Sequence, residues 1–289
     1  MTIEEMNMPE PDLPERSLDD TIRPTGFQSI RVSRAGTVAT IRLLPEDGAL
    51  APENTDRPVT MFAQHKELGV AVEWLARDES TRVIVLTGAD DAFVVPSPTR
   101  SWTLNDLAPS EDWALMQGLR QTLTAILDAD TPVIARVNGD AIGYGSSLVY
   151  ACDFVVAAED ALIADHHLGM GDLPYGRADF GFVPGDGGSV FVPLHMPPAM
   201  AREYLMLARS WSTTELAAAG VINYAVPQDR LDETVETLIT GLLRRPRYAL
   251  AWTKRVLNQP FRQRFTDGYE AGIAYEMLNI YQRRAEIHR

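Results

Sequence analysis

The sequence predicts an α/β fold, on three kinds of observation. Short apolar runs alternate with helical periodicities through most of the 289 residues, the rhythm of strands and covering helices. Val83–Thr87 and Pro132–Val137 are apolar almost throughout, as parallel strands buried on both faces are. Glycine-rich segments, Asn138–Gly145 and Pro184–Gly188, link strands or loops to the helices that follow.

Taken in order, Gln28–Val32 and Thr37–Leu43 alternate apolar and polar residues about Ala35-Gly36, which predicts a β-hairpin. Pro45–Pro58 is a loop by composition. Thr60–Arg77 reads as a helix with the apolar stripe Met61, Leu68, Val72 and Leu75, and His65 lies on that stripe. Val83–Thr87 is a strand, Ala92–Pro109 a loop, and Trp113–Ala129 an amphipathic helix. After the strand Pro132–Val137, a glycine turn opens a helix at Ser146–Ala151. Phe154–Ala157 and Ala161–Ala164 are short strands. Beyond Gly188 the pattern is helical at Ser189–His195, Pro198–Ala208 and Thr213–Ala219. A strand at Ile222–Ala225 precedes helices near Arg230–Arg244, Tyr248–Leu257 and Arg264–Arg284. This divides the chain into an N-terminal arm (1–26), an α/β core (27–226) and a C-terminal helical region (227–289) that packs on the core or on a neighbouring subunit.

Composition narrows the function. An apolar fraction of 45% is enough for a full core, and a net charge of −14 argues against nucleic acid or an anionic membrane as partner. Cys152 is the only cysteine, so no intramolecular disulfide forms, and no Cys/His cluster has zinc-site spacing. No metal and no cofactor is expected. The acidic, proline-bearing N-terminus has no apolar run and resembles neither signal peptide nor anchor, which suggests a cytoplasmic protein.

The richest stretch for chemistry is Ile163–Gly188. His166 and His167 follow a strand directly, so their side chains are expected on opposite faces, one of them inward and suited to proton transfer; a surface histidine pair is the alternative. Asp186 stands just ahead of a helix, where it could be a plain N-cap or could orient a histidine. In the last helix, Phe265, Tyr269, Gly272, Glu276 and Ile280 share one stripe, which puts a carboxylate among apolar groups. Such a group either has a raised pKa or pairs, here with Arg264 or Arg283 at an interface. His65 is a core histidine or a catalyst. Neither glycine turn has nucleotide-binding spacing, but both offer backbone N–H groups at a helix start, the equipment for an oxyanion.

These features together resemble the crotonase (enoyl-CoA hydratase/isomerase) superfamily over about Phe27–Tyr281. RVIVLTGADDAF (Arg82–Phe93), PVIARVNGDAIGYGSSL (Pro132–Leu148), CDFVVAAEDA (Cys152–Ala161) and GFVPGDGG (Gly181–Gly188) carry the resemblance. AAAGVINYAVPQDRL (Ala217–Leu231) and ALAWTKRVLN (Ala249–Asn258) complete it. The resemblance implies stacked ββα turns closed by C-terminal helices, assembled as a homotrimer or a dimer of trimers. It implies an oxyanion hole made by the N–H groups of Ser97 and Tyr144, and pocket positions at Phe93, Ser147 and Tyr175.

Departures from the family pattern are equally informative. Ser147 and His167 stand where hydratases carry their two glutamates, and the first oxyanion loop reads Ala92-Phe-Val-Val-Pro-Ser-Pro. The chain is more similar to the β-diketone hydrolase branch, typified by 6-oxocamphor hydrolase, in which a loop histidine, the aspartate of PGDG and a last-helix glutamate cleave a C–C bond. Carried over, these are His167, Asp186 and Glu276; His166 or Tyr175 could take the histidine's place, and His65 matches a further active-site histidine. The resemblance thus implies a cofactor-free hydrolase of a small, cyclic β-dicarbonyl. A hydratase or isomerase of an acyl-CoA thioester and a non-catalytic binding subunit are the alternatives.

Overall fold

The computed structural model describes residues 26–45, 61–95, 109–169 and 181–287. Ser97 and Tyr175 lie outside them, as do residues 1–25 of the expected arm. The α/β expectation holds. β1 (Ile30–Ala35) and β2 (Val38–Leu43) form the expected antiparallel hairpin. β3 (Val83–Gly88), β4 (Val133–Val137), β6 (Phe154–Ala158) and β9 (Tyr224–Val226) continue the sheet in parallel, in the order β1-β2-β3-β4-β6-β9.

The central strands are apolar on both sides because both sides are covered. Ile84, Leu86, Val133 and Ala135 cluster with Leu68, Val72 and Leu75 of α1 (Met61–Arg77) and Leu119, Leu123 and Ile126 of α2 (Pro109–Asp128). Their neighbours Val83, Val85, Ile134 and Val156 point the other way, onto Leu231, Val235, Ile239 and Leu242 of α7 (Leu231–Leu243). Strand alternation thus supplies two apolar layers from one run of sequence.

A smaller sheet was not expected. β5 (Ala141–Ile142) pairs in parallel with β7 (Leu162–Ala164), which pairs antiparallel with β8 (Trp211–Ser212). β7 falls within the expected strand Ala161–Ala164, but β5 and β8, of two residues each, leave no periodicity to read. Their importance is positional, since β5 leads into α3 (Tyr144–Ala151) and β7 into the histidines. α4 (Gly188–His195), α5 (Pro198–Met206) and α6 (Thr213–Ala218) follow, then α7, α8 (Arg247–Leu257) and α9 (Gln259–Ile287). Phe261 and Phe265 of α9 pack on Phe191 of α4, which sets the long last helix across the start of α4. α8 is tied to the core by buried Lys254, 2.6 Å from Asp153 and bonded to the carbonyls of Ile126 and Thr131. Among the described residues no helix is long and apolar enough to cross a membrane.

Candidate active site

His167, Asp165, Asp186 and Glu276 meet in the interior, brought there by different elements. β7 ends at Ala164, and the chain emerging from it carries Asp165 and His167. The chain turns there, and the His167 N–H donates to Asp165 Oδ1 two residues back, which brings both side chains inward. Asp186 comes from the turn before α4. Glu276 comes from the core-facing stripe of α9, where Phe265, Tyr269 and Ile280 are buried beside it as the spacing predicted. Gly185 makes the crossing possible: a Cβ there would stand 2.6 Å from both Glu276 Oε2 and the Gly272 carbonyl oxygen.

The imidazole of His167 has a carboxylate on each edge. Nδ1 lies 2.8 Å from Asp165 Oδ1, and the His167 main-chain N–H donates to the same oxygen at 3.0 Å. Nε2 faces Asp186 Oδ2 at 3.4 Å and Glu276 Oε1 at 3.8 Å. Ser147 Oγ donates to Asp186 Oδ1 at 3.0 Å and so holds that carboxylate in place. Burial alone would lower the pKa of His167, but the charges of Asp165 and Asp186, with help from Glu276, raise it well above its ordinary value. Burial raises Asp186, opposed by His167. Burial also pushes Glu276 up to about 8, again opposed by His167 and reinforced by Asp186. Asp165, Asp186 and His167 each bring a ligand atom within 4.8 Å of the others. As they stand, both imidazole nitrogens face carboxylates, which makes this a proton-holding cluster.

His166 departs from expectation. The extended segment ends before it, and a turn follows in which Gly169 N–H bonds the His166 carbonyl at 3.0 Å. The two rings therefore stack, 5.1 Å apart and 30° from parallel, instead of facing opposite ways. His166 lies against Gly143, whose φ of 61° and lack of a Cβ allow the approach; any side chain there would overlap the ring. Burial, with the charge of His167, pushes His166 down to about 3.

Gly143 also starts α3, and no side chain caps it. The first N–H groups of that helix, Tyr144 among them, have no intrahelical acceptor. Alongside runs the chain from Phe93 to Val95, joined to β5 by a Val94–Ala141 bridge and the Ile142 N–H to Val94 carbonyl bond of 2.8 Å. Phe93 is buried in the main core. His65 is buried with its ring 4.0 Å from that of Tyr144, edge to face, and burial pushes its pKa down to about 3. Neither His65 nitrogen has a hydrogen-bond partner among the described residues, nor does the buried hydroxyl of Tyr269.

Asp165 is the residue that sequence reading missed. The strand ends at Ala164, so alternation does not carry through to it; the turn back onto its own carboxylate is what places it. Within the chain Glu276 is buried and lies on the Nε2 side of His167.

Comparisons with known proteins agree with this fold. A family model described as enoyl-CoA hydratase/isomerase matches residues 60–287. Carnitinyl-CoA dehydratases of Salmonella heidelberg and Salmonella typhimurium are 32% identical over 231 residues, covering 78% of this chain and 83% of those proteins. An enoyl-CoA hydratase/isomerase from Mycobacterium paratuberculosis superposes with a TM-score of 0.74 at 26% identity, covering 88% of this chain and 94% of that one. A β-diketone hydrolase from the cyanobacterium Anabaena, bound to (S)-3-oxocyclohexyl acetic acid, has the same TM-score at 24% identity, covering 89% and 96%; that likeness concerns the fold alone. With its crotonase fold and a family match over most of its length, the chain belongs to the enoyl-CoA hydratase/isomerase family.

Proposed function

We propose that this protein hydrolyses a C–C bond of a small, cyclic β-dicarbonyl by retro-Claisen chemistry. The observation that carries this reading is the buried imidazole of His167 with Asp186 and Glu276 both on its Nε2 side. A water held between these groups can lose its proton to the His167–Asp186 pair and attack one carbonyl carbon. The oxyanion formed is held by the N–H of Tyr144, at the uncapped start of α3, and by that of Ser97. Collapse breaks the bond to the carbon between the two carbonyls and leaves a carboxylic acid and an enolate. Glu276, which keeps its proton up to about pH 8, protonates the enolate carbon. Serine at 147 and histidine at 167 leave the site without the glutamate pair that hydrates enoyl thioesters.

A second reading, dehydration or hydration of a CoA thioester, is favoured by the 32% identity to the carnitinyl-CoA dehydratases. Offering a cyclic β-diketone and an enoyl-CoA separately, and following the ultraviolet absorbance of each, tests both. Turnover of the diketone alone supports hydrolysis; turnover of the thioester alone replaces it with the second reading.

A further inference from the structure

The two aspartates beside His167 differ in what they can do. Asp186 faces Nε2, the edge shared with Glu276, and belongs with the reacting groups. Asp165 takes the other ring nitrogen, Nδ1. One of its oxygens, Oδ1, accepts both the His167 main-chain N–H and Nδ1, so a single atom grips the residue by backbone and ring together. With Nδ1 committed inward, only Nε2 is left to meet a substrate or water.

The surroundings of Asp165 suit a charge that never moves. It is 1% exposed, and its second oxygen lies against Gly188 in the first turn of α4, where any side chain would displace it. Carboxylates are favoured at helix N-termini. Behind it come the buried hydroxyls of Ser146, Tyr150 and Tyr204; neither they nor Asp165 Oδ2 have a partner in full hydrogen-bond geometry among the described residues. Burial, with the charge of Asp165 contributing, keeps both phenols protonated. Burial would raise Asp165 itself, but the charge of His167 and the two bonds it donates hold the carboxyl below its ordinary range.

We propose that Asp165 is the positioning residue of this site, locking the His167 ring with Nδ1–H inward so that Nε2 alone is presented to the reacting groups. The proposal rests on the reading of His167 as the working imidazole. It assigns the orienting role to a residue two positions away in sequence, and it frees Asp186 to take part in the proton transfer.

The test is nitrogen-15 NMR of the imidazoles in the full-length protein, with His167 assigned by the signals lost in His167→Ala. In the unaltered protein Nδ1 should carry a proton throughout the pH range of activity; an unprotonated Nδ1 there overturns the proposal, with no variant needed. In Asp165→Asn the His167 titration midpoint should fall, and kcat should drop by about 10²–10³-fold with KM within about threefold. Loss of activity with ring tautomer and midpoint unchanged would reduce Asp165 to a structural role and overturn the proposal. Because the spectra need no substrate, their outcome is separate from whether a diketone is the substrate.

Discussion

His167, Asp186 and Glu276 share a small volume, so their effects should not add. His167→Ala should lower kcat by about 10²–10⁴-fold and Asp186→Asn by nearly as much. The double variant should be little worse than the worse single, as for residues acting on one proton. Steady-state kinetics on all three checks this, and additive losses would dissolve the pair. His166→Ala should be milder, since that ring packs on the Gly143 turn and lies outside the cluster's hydrogen bonds to Asp165. Glu276 gives the pH dependence. As a group raised to about 8 that must be protonated to deliver its proton, it gives kcat an alkaline limb that falls about tenfold per unit above that pH. Glu276→Gln should remove this alkaline limb along with most of the rate; a limb that persists would assign the titration elsewhere. At this scale the sequence was legible where periodicity speaks. The helical stripe put Glu276 inside. Alternation misled for His166 because the strand stops at Ala164, a boundary that no pattern of three residues can mark.

Elements position the cluster through a close approach. α9 crosses the Pro184–Gly188 turn where Gly185 and Gly272 face each other. Their different surroundings predict different costs. Gly185→Ala would place its Cβ 2.6 Å from the Gly272 carbonyl oxygen, so helix or turn must move, at about 1–3 kcal/mol of stability and with a loss of activity as Glu276 shifts. Gly272→Ala meets Ser189 Oγ at 3.3 Å and Gly185 Cα at 3.4 Å. That mild crowding is offset by the roughly 1 kcal/mol that alanine gains over glycine inside a helix. Thermal melts of the two variants should therefore separate clearly, with Gly272→Ala near the unaltered protein. Equal melting points would mean that the crossing is slack. The larger strands and helices were readable because each buries a face of useful length. β5 and β8 were not, since two residues each owe their pairing to the chain on either side.

For the whole molecule the question is what covers its outer surface. Tyr269 is 2% exposed and stacks on Phe265 inside the protomer. Trp252 and Tyr275 remain 62% and 63% exposed, and Tyr248, Val256, Leu257 and Leu278 are exposed with them on α8 and α9. Apolar exposure on this scale calls for a partner surface. Light scattering at micromolar concentration should give the mass of a trimer or hexamer, and a monomeric mass would remove the expectation of assembly. The docking of α9 also has a consequence in time. Glu276 reaches His167 from the far end of the chain, so the sheet and its first helices can form while the site is still incomplete. Contacts between distant parts of a chain form late, because the intervening loop must be closed first. During refolding, helical circular dichroism should recover ahead of turnover, with the lag reporting the arrival of the last helix. During synthesis, a chain still emerging from the ribosome would be folded in part and catalytically silent until its final turns are released.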